Sequence, residues 1–346
     1  MVTRRSAARR ALNEGAIVIV VTLTVALFGS SAAGAAKSQA RVCNGSAKLC
    51  HRRLNDIVFA TSHNAMASSA FGFQGPEQDL TIAEQLKLGV RGLMLDVYTG
   101  TPTTDHICTD PTPLKVAQVK RREGQKVLDQ LVAIRNAQCP PAGGPTAGLY
   151  LCHSFCEVGA TPFAEQLQQI KAFLRGSPND VVVLMLEDYS PAADIMQALR
   201  TAGLDKTLVR HKPGDPWPTL GQLTKQGKQL VVFAQHQGGD APGLLDQYAE
   251  MNETRYSFAS SAQFTCAANR GPTKARLFLV NHWIDMTNEL AAAQEANAYP
   301  LLDARVKQCM HERGHLPNFV AVNYPDQGDL FRVADELNRV PSHTSS

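Results

Sequence analysis

Two histidines and two acids stand where short apolar runs stop. The runs end in Thr61-Ser62-His63-Asn64, Leu95-Asp96-Val97-Tyr98, Cys152-His153-Ser154 and Leu186-Glu187-Asp188-Tyr189. Two imidazoles at strand ends suit a reaction in which one base takes a proton from a nucleophile and one acid protonates a leaving oxygen. Each such transfer contributes roughly a hundredfold to ten-thousandfold, and phosphodiester cleavage is a reaction of this kind. A single histidine there is more often a hydrogen-bonded structural residue, and a single carboxylate often caps the next helix. Only the coincidence of four ends favours a site. His51, His106, His211, His236, His311 and His315 show no such placement and read as surface or loop residues, whereas His282, after the run 277–281, is a candidate pocket residue.

To converge, these residues need a scaffold whose strand ends share one mouth. Apolar runs at 57–60, 93–97, 149–152, 181–186, 230–234, 277–280 and 319–322 read as short buried strands, with an eighth expected near 256–258. Between them, residues 81–88, 162–174, 192–199, 288–312 and 330–337 carry apolar side chains at helical spacing. Asp329 is a plausible N-cap for the last of these. Residues 100–113 and 138–148, rich in Pro, Gly and Thr, read as long loops. The alternation points to repeated βα units around a parallel sheet, in which reactive side chains project from the carboxyl ends of the strands. A doubly wound open sheet would give nearly the same alternation. Asp96 shares strand parity with Met94 and Gly92, and Glu187 with Met185 and Val183, so each acid follows inward positions.

Thr61-Ser62-His63-Asn64, the stretch from Gln85 through Gly89-Val90-Arg91-Gly92-Leu93-Met94-Leu95-Asp96, Leu151-Cys152-His153, and Val182-Val183-Leu184-Met185-Leu186-Glu187 together resemble the X-domain of phosphatidylinositol-specific phospholipases C. The likeness runs from Cys43 towards the C-terminus and is strongest over 54–190. Cys43-Asn44-Gly45 and Asn281-His282-Trp283 further resemble a secreted microbial branch of that superfamily. The resemblance implies a distorted TIM barrel with His63 as general base and His153 as general acid. It also implies Asn64, Asp96 and Glu187 as ligands of Ca²⁺, a hard cation that takes oxygen donors. Two positions depart from the family. Met94 stands where the calcium enzymes carry a further acid. Asn323 stands where relatives carry an aspartate that orients the base, which leaves the imidazolium without a compensating charge unless Asp326 serves. Arg91, His282, Asn323 and Asp326 are the expected substrate contacts, although Arg91 has the opposite parity to Asp96, and a cation is favoured over an arginine.

The chain has 346 residues and a formal charge of +3, with its Lys/Arg clustering confined to the N-terminus, so nothing favours a nucleic-acid partner. Arg4, Arg5, Arg9 and Arg10 precede an apolar run over 16–28 and a small-residue stretch over 29–36, as in a secretory signal peptide. The alternative for residues 1–36 is an uncleaved membrane anchor. The eight cysteines all lie beyond that segment, and in an exported chain an even count favours disulfides over zinc. Spacing suggests Cys43 with Cys50, and Cys266 with Cys309 is the next expectation. Cys152 or Cys156 is expected to pair with Cys108 or Cys139.

One barrel over 43–340 is thus expected, acting as an exported monomer on a phospholipid headgroup at a membrane surface, most plausibly one containing inositol. A glycerophosphodiesterase-like enzyme is disfavoured because Met94-Leu95-Asp96 lacks that group's Glu-x-Asp pair. A weak or inactive barrel that binds headgroups or glycans is the reading from a different class.

Overall fold

Runs of Val, Leu, Ile and Phe too short for buried helices form most of the strands. The structure is a computed structural model that describes residues 41–285 and 289–341. The segment expected to be a leader or anchor lies outside the described residues, among which no helix is long and apolar enough to cross a membrane. The strands are β1 Phe59–Ser62, β2 Gly92–Pro102, β3 Ile107–Thr109, β4 Gly148–Cys152, β5 Ala160–Pro162, β6 Val182–Asp188, β7 Leu230–Ala234, β8 Leu245–Asp246, β9 Met251–Glu253, β10 Leu277–Asn281 and β11 Phe319–Val322. Of these, β1, β2, β6, β7, β8, β9, β10 and β11 pair in parallel and in chain order, and β11 returns to pair with β1. A singly wound parallel sheet whose last strand meets its first is a TIM barrel. It is distorted because the hydrogen-bond path stops at β8 on one side and β9 on the other, with the short helix Gln247–Glu250 between them.

Alternate side chains divide the core in two. Leu93, Leu95, Leu184, Leu186 and Val232 face outward onto the crossover helices Phe163–Gly176 and Ala192–Thr201, meeting Leu167, Ile170 and Ile195. Phe59, Met94, Val183, Met185, Phe233, Leu279 and Ala321 fill the interior. Space there is tight: a Cβ on Gly92 would meet the Thr61 Oγ1 at 2.4 Å, so only glycine fits in that layer. Leu49, Leu54, Trp217 and Leu220 pack with the interior cluster.

Several expectations change. Residues 149–152 are a strand, but β4 runs antiparallel to β2 and pairs with β5, so it belongs to an insertion between β2 and β6 and not to the barrel. Two helices of that insertion, Pro113–Glu123 and Gln125–Gln138, were not singled out by periodicity. Pro113 occupies the first turn, and the Thr112 hydroxyl accepts from the Lys115 N–H, which fixes where the first helix starts. Residues 256–258 are not a strand; the remaining barrel strands are β8 and β9, two and three residues long. The helix expected over 288–312 is broken into Glu289–Ala296 and Tyr299–Arg313, with Pro300 in the first turn of the second. Asp329 flanks the helix Leu330–Asn338 without capping it, its carboxylate accepting instead from the Tyr299 N–H at 3.2 Å.

Disulfides join Cys43 to Cys50 and Cys266 to Cys309, as expected. The other two differ: Cys152 pairs with Cys156, and Cys108 with Cys139. A bridge stabilises mainly by restricting the unfolded chain, more for larger loops. Removing the Cys266–Cys309 bridge, which spans 43 residues, should therefore cost about 4 kcal/mol, against about 2 kcal/mol for Cys152–Cys156. Chemical denaturation of the two double Cys→Ala variants checks this order, and equal losses would contradict it.

Candidate active site

The inward parity of the barrel core continues to the mouth of the barrel and there turns polar, on the strands themselves or just beyond them. Two residues beyond Thr61 is His63, beyond Met94 is Asp96, beyond Met185 is Glu187, beyond Phe233 is Gln235, beyond Leu279 is Asn281, and beyond Ala321 is Asn323. All but Asn323 line one cavity of about 370 Å³, together with Asn64, His153, Arg122, Arg270 and Trp283. Met94 and Met185 also border it, at the level where apolar filling ends. Gln235 and Asn281 were missed by the sequence reading, although the same step of two from an apolar run identifies them.

His63 is held on every side. Its ring stacks on the Trp283 indole at 3.6 Å between centroids, nearly parallel. Its Nδ1 lies 2.8 Å from the Asn323 Oδ1. The Asn323 Nδ2 donates to a carboxylate oxygen of Glu289 at 3.3 Å, an atom that only accepts. The amide therefore has its oxygen toward His63, the proton sits on Nδ1, and Nε2 is left with its lone pair for the cavity. The Asn297 side chain in turn donates to the Asn323 carbonyl at 2.9 Å.

Asn323 is neutral, and the carboxylate beside His63 is that of Glu77, whose Oε2 lies 3.2 Å from the His63 Nδ1 and is otherwise buried without a hydrogen bond. Asp326, proposed for this task, is exposed and accepts only from the Gln327 side chain. Glu77 was missed because it lies in a loop, where neither parity nor periodicity applies. Burial lowers the His63 pKa, while Glu77 and the Asn323 hydrogen bond act to raise it.

His153 reaches the same cavity from the insertion and not from a barrel strand. The Cys152–Cys156 bridge closes its loop, Ser154 takes a positive φ, and the Ser154 carbonyl accepts from the Lys115 ammonium. The histidine is thus positioned by a short cross-link and a helix of the inserted segment.

Asp96 and Glu187 are register partners on β2 and β6, which brings two carboxylates side by side. Burial, with Glu187 and Glu77 nearby, pushes Asp96 well above the usual carboxylate range. Tyr189 donates to Glu187 and accepts from Gln118. Lys115 lies over the rings of Phe155, Tyr98 and Tyr189, and burial brings its pKa down to about 8 against the pull of Asp96 and Glu187. The paired carboxylates, with Asn64 lining the same cavity, are the oxygen donors here that could hold a divalent cation. His106, Cys108 and Cys139 also cluster, but both sulfurs are in a disulfide and cannot ligate as thiolates.

None of the four expected substrate contacts lines this cavity: Asn323 holds the His63 ring, Asp326 is exposed, and the other two lie elsewhere. Arg91 pairs with Asp180 at 2.7 Å and donates to the Leu86 carbonyl, since its opposite parity takes it out of the barrel. His282 is fully buried outside the cavity, between the Ala296 carbonyl and Arg305, and burial lowers its pKa to about 3. The His211 side chain, read as a surface or loop residue, is buried, with its Nδ1 2.7 Å from a Glu250 carboxylate oxygen and its ring stacked on Trp217.

Because Glu77 raises the His63 pKa, Glu77→Gln should move the histidine's NMR titration midpoint to lower pH. An unchanged or higher midpoint would remove Glu77 as the charge partner.

The PI-PLC X 1 family model matches residues 115–338, a span that holds His153, Glu187 and Asn323 but begins after His63, Asn64 and Asp96. An uncharacterized secreted protein of Arthroderma benhamiae is 24% identical over 87% of this chain and 64% of its own length. A PI-PLC X domain-containing protein of Arabidopsis thaliana is 26% identical over 82% of this chain and 62% of its own length. The chain therefore spans less than two thirds of either relative. Among solved structures, a phosphatidylinositol-specific phospholipase C from Listeria monocytogenes aligns with TM-score 0.48 and 13% identity, covering 84% of this chain and 95% of that one. With the family model matching well over half of its length, this chain belongs to the PI-PLC X family.

Proposed function

We propose that the chain is an exported phosphodiesterase that cleaves a phospholipid headgroup, with inositol phosphodiesters as the preferred substrates. The observation that carries this reading is the His63 relay: Nδ1 held by Asn323 and Glu77, with Nε2 left for a cavity that also contains His153. In the proposed reaction the His63 Nε2 removes the proton of the headgroup hydroxyl next to the phosphate. That oxygen attacks phosphorus, and the bond to the diacylglycerol oxygen breaks as His153 protonates it. Glu77 stabilises the imidazolium that forms on His63, so the asparagine at 323 does not leave the base without a counter-charge. Trp283 stacks on the ring, and burial disfavours its charged form, as suits a base.

Asn64, Asp96 and Glu187 would hold a hard cation, which when bound would make the attacking hydroxyl more acidic and offset charge on the phosphate. Lys115, Arg122 and Arg270 supply positive charge from the chain itself. Export is supported by four disulfides with no free cysteine among the described residues.

His63→Ala and His153→Ala should each lower turnover of an inositol phosphodiester by at least about a hundredfold while leaving the thermal transition in place. Activity retained by either variant would remove that residue from the reaction. Chelation and Asp96→Asn should both lower turnover of the same substrate. If neither does, the cation reading is wrong and Asp96 acts only on its neighbours.

A further inference from the structure

Lys115 is a buried lysine set among three aromatic rings. An ammonium out of water is costly unless its protons are engaged, and two of its bonds run in different directions. One goes to the carbonyl of Ser154, the residue after His153, and the other to the Gln118 Oε1 at 2.9 Å. The Gln118 Nε2 donates to the Tyr189 hydroxyl oxygen, and that hydroxyl donates to the Glu187 carboxylate. An unbroken chain of hydrogen bonds thus joins the backbone of the His153 loop to one of the paired acids.

The chain has one sense. A carboxylate accepts and an ammonium donates, so the Tyr189 proton points to Glu187, the Gln118 amide nitrogen to Tyr189 and the amide oxygen to Lys115. Bonds aligned in this way polarise one another, and Lys115, Gln118 and Tyr189 are all buried, where water does not compete. Its two ends stand on different supports, Glu187 on β6 of the barrel and Ser154 inside the loop closed by Cys152 and Cys156. Between them Lys115 and Gln118 lie one turn apart on the helix Pro113–Glu123. That helix is seated on the same spot, because the Thr112 hydroxyl that caps it donates to the Tyr189 carbonyl at 2.7 Å. Ser154 has a φ of 68°, which a residue with a side chain adopts where its surroundings hold it.

We infer that Lys115, Gln118 and Tyr189 are positioning residues for proton transfer to the leaving group: they tie the loop that carries His153 to the Glu187 carboxylate, so that the acid and the paired carboxylates share one frame. The inference rests on the phosphodiesterase reading for the role of His153. The effect of the three residues falls on one step. Protonation of the leaving oxygen matters most for an alkoxide and little for a nitrophenolate, which departs without a proton. Attack by the headgroup hydroxyl, served by His63, is common to both kinds of ester. Loss of the ammonium's charge also acts on both alike, so the ratio of the two rates isolates the acid.

The test compares kcat of the full chain for two inositol phosphodiesters, one with an alkyl alcohol as leaving group and one with nitrophenol. Lys115→Met should lower the rate on the alkyl ester roughly tenfold to a hundredfold more than that on the nitrophenyl ester, as a small misplacement of a reacting group does. Tyr189→Phe, which removes only a hydroxyl, should move the same ratio in the same direction. In His153→Ala neither substitution should move the ratio further, because the group they position is gone. Equal losses on the two esters, an unchanged ratio in Tyr189→Phe, or a further change of the ratio in His153→Ala would overturn the inference. Should Lys115→Met not fold, Gln118→Leu and Tyr189→Phe carry the same comparison. If the unmodified chain turns over neither ester, the phosphodiesterase reading fails, and the NMR resonance of the His153 Cε1 proton decides. It should shift in Tyr189→Phe if the chain of bonds holds the loop, and a fixed resonance would show that it does not.

Discussion

The site depends on one constraint, the two-residue alternation of side chains along a strand. In this barrel the inward positions are apolar up to the mouth, where the next one is polar on or just beyond β1, β2, β6, β7, β10 and β11. No separate device is needed to gather those groups, because closure of the sheet between β1 and β11 brings them to one mouth. A one-residue register slip would turn Asp96 and Glu187 into the helix layer and expel the apolar interior with them. The chemistry and the packing of the core are therefore specified by the same pattern.

What alternation cannot do is balance charge. The mouth holds Glu77, Asp96 and Glu187, and the Asp96 pKa is raised first by burial and then by the two neighbouring carboxylates. Part of the compensation comes from the insertion between β2 and β6, which places Lys115 over three aromatic rings and Arg122 at the cavity. The insertion also delivers His153. His63 and His153 thus stand on different supports: one at the end of a barrel strand, the other on a cross-linked segment outside the barrel. The departure at Asn323 is met by Glu77, whose backbone lies off the barrel strands.

Much of this was legible in the sequence. Six barrel strands and the meeting of His63, Asp96 and Glu187 follow from short apolar runs and the polar residues that end them, whereas the choice of a barrel over an open sheet, and Asn64, rest on the family resemblance. The rest is set by contacts between distant segments. Leu149–Cys152 has the composition of a buried strand, but only pairing decides direction, and it runs antiparallel. β8 and β9 are too short to show a period. Glu77 reaches His63 from a loop, and His282 ends an apolar run like a site residue yet turns outward onto Ala296 and Arg305. Arg91 shows the converse: its parity pointed away from the mouth, and its guanidinium is bound to Asp180.

The division of labour between the histidines is the centre of the account, and the pH dependence of kcat/KM for an inositol phosphodiester tests it most directly. A bell is expected, with its acid limb below pH 6.5 because burial lowers the His63 pKa. In His153→Ala the residual activity should keep that acid limb and lose the alkaline one, since the group that must be protonated is gone. An alkaline limb unchanged in His153→Ala would contradict the assignment of His63 as base and His153 as acid.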